Sequence, residues 1–174
     1  MTAHTEYTEE EWELLRLTPY LAGMAVVFVD HSGVIETVRE GIAMVVAEAG
    51  GPQRYPGNEL IAALMSERST AAEQSAARKE LEGMPPDEVP GHVRKGALED
   101  CRRVVSLLAE RSSAAEREGY VHWVMDVARA TAVAARNGGL FSRGPLVDDR
   151  ERALLADIAE ALGTDIGELP GETG

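Results

Sequence analysis

Cysteine and lysine are both scarce in this chain, and each shortage removes a class of explanation. Cys101 is the single cysteine, so no intrachain disulfide forms and nothing argues for an oxidising compartment. Lysine occurs at Lys79 and Lys95 alone, and the formal net charge is −13. A chain so acidic lacks the basic surface that phosphate neutralisation needs, which argues against general binding to nucleic acid or to an anionic membrane. The strongly apolar run Tyr20 to Val29 falls short of the roughly 20 residues that span a bilayer. The opening segment is acidic (Glu6, Glu9, Glu10, Glu11 and Glu13) where a signal peptide is basic, so the expectation is a cytoplasmic protein. No Gly-x-Ser-x-Gly, no Cys-x-x-Cys and no glycine-rich phosphate loop before a lysine occurs.

What is present is helix-forming sequence. At 174 residues and 44% hydrophobic, the chain is long enough to bury one sizeable core without a metal or disulfide. Alanine, leucine, glutamate and arginine dominate, and no stretch alternates with period two, so the expected fold is all-α. The reading is a single domain over 1–174, a bundle of about seven helices. Its halves fall at about 8–83 and 92–163, joined by a Pro-rich linker at 84–91 and followed by an acidic tail at 164–174.

Local signals set the expected helix ends. Thr8 with Glu11 forms a capping box for a short helix from Glu9 to Leu17, and Thr18-Pro19 restarts a buried apolar helix reaching Val29. Val38, Ile42, Val45, Val46 and Ala49 mark the core face of a helix from Glu36, which Gly50-Gly51-Pro52 stops. Asn58 caps a helix from Glu59 to Arg68. His92 to Arg111 is amphipathic, with Val93, Ala97, Val104, Leu107 and Leu108 inward. Ser112 or Ser113 caps a helix running to Asn137, and Asp148 with Glu151 makes a capping box for the last.

One unit occurs twice: an apolar helix, a glycine-containing acidic loop, then a helix opened by glutamate. The first copy centres on Asp30-His31-Ser32-Gly33, and the second runs from Gly138 to Glu151. Two such hairpins suggest pseudo-symmetric halves. Oxygen-rich side chains around a glycine turn suit a hard divalent cation, Ca²⁺ or Mg²⁺, which makes Asp30, Glu36 and Glu40 candidate ligands. Asp148, Asp149 and Glu151 are their counterparts, although acids in a first helical turn also serve the cap and the macrodipole.

Other constellations are weaker. Glu118, His122 and Asp126 share a helix face, with Arg129 and Arg136 continuing it as a salt-bridging stripe. Cys101 sits beside Arg102 and Arg103 with no nearby base, which fits an inert thiol.

Two segments resemble the TerB-like family of small helical proteins named for tellurite resistance. They are Met24 to Glu40, MAVVFVDHSGVIETVRE, and Val147 to Gly163, VDDRERALLADIAEALG. In this chain His31 and Ser32 separate Asp30 from Gly33, and 50–91 has no counterpart in the pattern. The resemblance implies a stress-response scaffold with divalent metal at Asp30, Glu36 and Glu40, and at Asp148 and Glu151 in the second half. It implies a non-enzymatic protein with a protein partner; separately, the helix at Glu59 to Arg68 and the segment around Phe141 each offer a face for a homodimer. Two alternatives stand beside it: an acidic interaction module or nucleic-acid mimic without metal, and an enzyme or ligand carrier using a helical pocket.

Overall fold

Helix α1 (Glu9–Val29) begins where the sequence places it. The Thr8 backbone N–H donates to Glu11 Oε2 at 2.8 Å, and the Glu11 N–H donates back to Thr8 Oγ1 at 3.2 Å. It does not stop at Leu17. The expected restart at Thr18-Pro19 is absent, and α1 runs through the proline as one helix of 21 residues. Thr18 cannot act as a cap there; its Oγ1 instead donates to the Leu14 carbonyl one turn back, at 2.7 Å. Pro19 has no N–H to give the Leu15 carbonyl, and that vacancy is filled by the buried Tyr120 hydroxyl. Tertiary contact overrides the local rule.

The computed structural model describes residues 6–29, 43–67, 83–85, 87–136 and 147–167, and everything below refers to these. After α1 come α2 (helical over 43–49), the short α3 (Gly51–Arg54), α4 (Glu59–Ser66), α5 (Val89–Arg111), α6 (Ala114–Arg136) and α7 (Asp149–Leu162). No strand occurs among the described residues, so the protein is an all-α helical bundle.

Burial explains the arrangement. On α1, Trp12, Leu15, Ala22 and Val26 repeat at helical spacing, and Tyr20 and Ala25 widen the buried face. Helix α5 buries Val93, Ala97, Cys101, Val104 and Leu108, a narrow stripe at i, i+4, i+8, i+11 and i+15. Helix α6 is buried on most sides, with Tyr120, Trp123, Val124, Val127 and Ala128 closed from solvent. Helix α1 packs chiefly on α5 and α6, while α7 closes the bundle against α5, α1 and α6 through Leu154, Leu155, Ile158 and Leu162. Arg94 of α5 pairs with Asp157 of α7 on the surface. The buried apolar residues among those described, Val27 aside, form one contiguous core that draws on both halves of the chain.

Several expected ends move. Helix α2 does end at Gly50-Gly51-Pro52 as expected, but Gly50 keeps right-handed helical geometry (φ −78, ψ −4) and the same residues open α3. On α2, Met44, Ala47 and Glu48 face inward and Ala49 is half-buried, whereas Val45 and Val46, expected on the core face, are exposed. Val38 and Ile42 lie outside the described residues. Helix α4 stops at Ser66, two residues early, with Glu67 at its C-cap. Helix α5 starts at Val89 rather than His92, because Pro90 fits a first turn that needs no donor there. Cys101 takes an inward place, and Leu107 is only partly buried.

Long-range polar ties fix the short helices. Asn58 Oδ1 accepts from the Ile61 N–H at 3.0 Å, capping α4 as expected, while its Nδ2 donates to the Glu116 carbonyl on α6 at 2.9 Å. At the other end of α4, Trp12 Nε1 donates to Glu67 Oε2 at 2.9 Å and Arg16 to the Glu67 carbonyl at 3.2 Å. Glycine permits one close approach in particular. A Cβ on Gly51 would lie 2.6 Å from Trp123 Nε1, which donates to the Glu48 carbonyl at 3.1 Å.

Candidate functional site

The proposed cation ligands divide into two groups. Asp30, Glu36 and Glu40 lie outside the described residues. Asp148 and Glu151 lie within them and are brought together, each engaging the other's backbone. Asp148 Oδ1 accepts from the N–H groups of Arg150 and Glu151, both at 2.8 Å, and Glu151 Oε2 accepts from the Asp148 N–H at 2.7 Å. That is a complete capping box, and Glu151 is 1% exposed. Those oxygens serve α7's otherwise unpaired donors. Asp149, the third acid of that turn, is exposed. Among the described residues, no group of three or more His, Cys, Asp or Glu is arranged to hold a metal ion.

A second polar cluster forms where sequence spacing offered only part of it. Asp126 on α6 accepts Arg129 Nη2 at 2.7 Å, the pair expected from its i, i+3 spacing. Its other oxygen accepts the Tyr55 hydroxyl at 2.8 Å and Arg54 Nη1 at 3.1 Å, both from the end of α3. Arg129 Nη1 also reaches the Ile166 carbonyl beyond α7, at 3.2 Å. Burial raises the Tyr55 phenol above its ordinary range, and its hydrogen bond to Asp126 and the carboxylate's charge push the same way. Glu118 and His122, on the same stripe, stay exposed. Arg54 and Tyr55 carry no sequence signal for this role, being more than 70 residues away from Asp126.

Cys101 is fully buried. Burial pushes its thiol up to about 12, Asp100 adds to the rise, and Arg102 only partly opposes it. The neighbouring arginine does not activate this sulfur.

The surface carries an open groove of about 380 Å³ along the seam of α1 and α5, lined by Glu11, Leu14, Arg102, Arg103, Ser106 and Leu107. Leu14 and Leu107 are partly buried against the core, giving the groove apolar ground. Glu11 is engaged by Arg111 at 3.0 Å and Arg103 by Asp100 at 3.2 Å. Arg102 is exposed and makes no ion pair among the described residues.

Helix α1 is long and apolar enough, by length and composition, to cross a membrane, a property the run from Tyr20 to Val29 did not reveal. The central helix of a bundle has the same composition, and α1 buries 56% of its most apolar window against its neighbours.

No family model matches the chain, and no curated protein and no solved structure matches it either.

Proposed function

We propose that this protein is a non-enzymatic binding or scaffold protein of TerB-like type, acting in the cytoplasm on a protein partner. The observation that carries this reading is the groove between α1 and α5. It is open rather than enclosed, has Leu14 and Leu107 at its base, and presents Arg102 beside them. Such a surface suits a protruding side chain of a partner better than a small molecule, which generally needs a deeper and more enclosed pocket. A cation at Asp30, Glu36 and Glu40 belongs to the same proposal. Neutralising these carboxylates would fix the angle between α1 and the following helix and so alter the partner surface.

The experiment is thermal unfolding of chelator-stripped protein with Ca²⁺, Mg²⁺, Mn²⁺ or Zn²⁺ added singly. A cation at 100 times its dissociation constant stabilises by about 2.7 kcal/mol, roughly a 5–10 °C rise for a chain of this size. The expected rise disappears in the Asp30→Asn, Glu40→Gln double variant. No rise with any cation removes the metal from the proposal.

The net charge of −13 supports a second reading, an acidic module that engages a basic partner without metal. Binding of that kind weakens steeply with salt and persists in chelator.

A further inference from the structure

Asp126 stands between two segments that do not touch each other in any bond described above. One is the turn after α3, held through Arg54 and Tyr55. The other is the strap after α7, residues 163–167, held through Arg129 and the Ile166 carbonyl. We infer that Asp126 and Arg129 form a conformational latch through which docking of the strap and order in the α3–α4 turn are coupled.

The geometry supports the coupling at each link. Asp126 uses both carboxylate oxygens, Oδ1 towards Arg129 and Oδ2 towards the α3 turn. Arg129 likewise uses two nitrogens, Nη2 towards Asp126 and Nη1 towards the strap. Moving either segment therefore moves a group the other depends on. The Asp126 and Arg129 side chains are 20% and 24% exposed, so solvent screens their bond less than it screens the Arg54 pair, where the arginine is 49% exposed.

The strap is also shaped to meet Arg129. Gly163 ends α7 in left-handed geometry (φ 68), and the Thr164 N–H returns to the Ala159 carbonyl at 2.9 Å. Ile166 packs against the core. Gly167 again has φ 68, with its N–H on Asp165 Oδ1 at 2.8 Å. A Cβ on Gly167 would collide with Arg129 Nη1, so the glycine is what lets the guanidinium lie against the strap. A partner that captured the strap would loosen the α3–α4 turn, and order in that turn would favour the docked strap, as reciprocity of coupling requires.

The test perturbs one end and reads the other. Gly167→Ala strains the strap and displaces Arg129 without touching α3. Native-state hydrogen exchange then follows the amides of Arg54, Tyr55 and Asn58, whose bonds to Gly50, Gly51 and Tyr55 carbonyls hold the turn. The expected result is exchange faster by about threefold or more at these amides, the lower end of coupling within one bonded network. In an Asp126→Asn background the same strap change no longer reaches them. Unchanged exchange at residues 54–58 in Gly167→Ala overturns the inference, whether or not the strap itself loosens. Transmission that survives Asp126→Asn also overturns it, because the signal then travels by another route.

Discussion

The Tyr120 hydroxyl donates to the Leu15 carbonyl at 2.7 Å, across the interface of α6 and α1. Leu15 is the residue four before Pro19, whose ring leaves that carbonyl without its helical N–H. A proline in one helix and a tyrosine in another are therefore a matched pair. Tyr120→Phe should destabilise the protein by about 1–3 kcal/mol, the cost of leaving a buried acceptor unserved. Replacing Pro19 by alanine restores an N–H, so the same substitution should cost clearly less in that background. Urea unfolding of the four variants measures the difference; an equal cost with and without the proline would separate the two residues.

Alkaline pH should weaken the fold through buried acids that stay protonated. The Cys101 thiol rises from 9.0 to about 12 through burial, and burial also raises Tyr120 and Tyr55. Folded-state values lie above the unfolded ones, so the contribution is complete below about pH 9 and falls as pH climbs towards 12. The slope is about 1.4 kcal/mol per pH unit for each group that ionises only when unfolded. Urea midpoints should hold level from pH 7 to 9 and then drop. Cys101→Ala should make that drop shallower, and an identical slope would deny the thiol its part.

Asp148→Ala should cost about 1 kcal/mol by removing the cap of α7. The loss should be the same in chelator and in excess cation, because the carboxylate is already spent on Arg150 and Glu151 backbone donors. A cost that appears only when cation is present would return Asp148 and Glu151 to the status of ligands. Thermal midpoints under the two conditions decide it.

Two glycines should respond unequally to alanine. At Gly51 the new methyl lies 2.6 Å from Trp123 Nε1, a rigid ring already bonded to the Glu48 carbonyl. At Gly23 it lies 2.5 Å from Met44 Sδ, the end of a flexible chain. Gly51→Ala should therefore cost about 1–3 kcal/mol and Gly23→Ala distinctly less, since methionine can swing aside. Equal urea midpoints would mean the indole yields as readily as the thioether.

What the sequence revealed was local. Thr8 with Glu11, Asn58, and Asp148 with Glu151 are each readable because cap and partner sit within three residues, whereas the choice between Ser112 and Ser113 is settled only by the bonds of Ser113 to Glu116. The spacing of Val93, Ala97, Val104 and Leu108 likewise set the inner face of α5. What escaped was every tie whose partners are distant: Tyr120 to Leu15, Asn58 to Glu116, Tyr55 to Asp126. Pro19 shows how such a tie reverses a local rule, since the proline that reads as a helix start is accommodated in mid-helix by a residue from α6. At the second acidic loop the difficulty differs. A carboxylate pair in a first turn has the same sequence as cap or as ligand, and only hydrogen-bond geometry tells them apart.

The two tryptophans sit in separate neighbourhoods of the bundle. Trp12 lies 5.7 Å from the Tyr7 ring and donates to Glu67 at the end of α4. Trp123 lies 5.7 Å from the Tyr120 ring and donates to the Glu48 carbonyl of α2. Each indole thus has its own phenol as an energy donor and its own distant segment holding the ring nitrogen. Replacing either tryptophan with phenylalanine leaves a single emitter whose colour and quenching follow one region alone. The chain carries a built-in pair of optical probes, one watching the far end of α4 and the other the entry to α3.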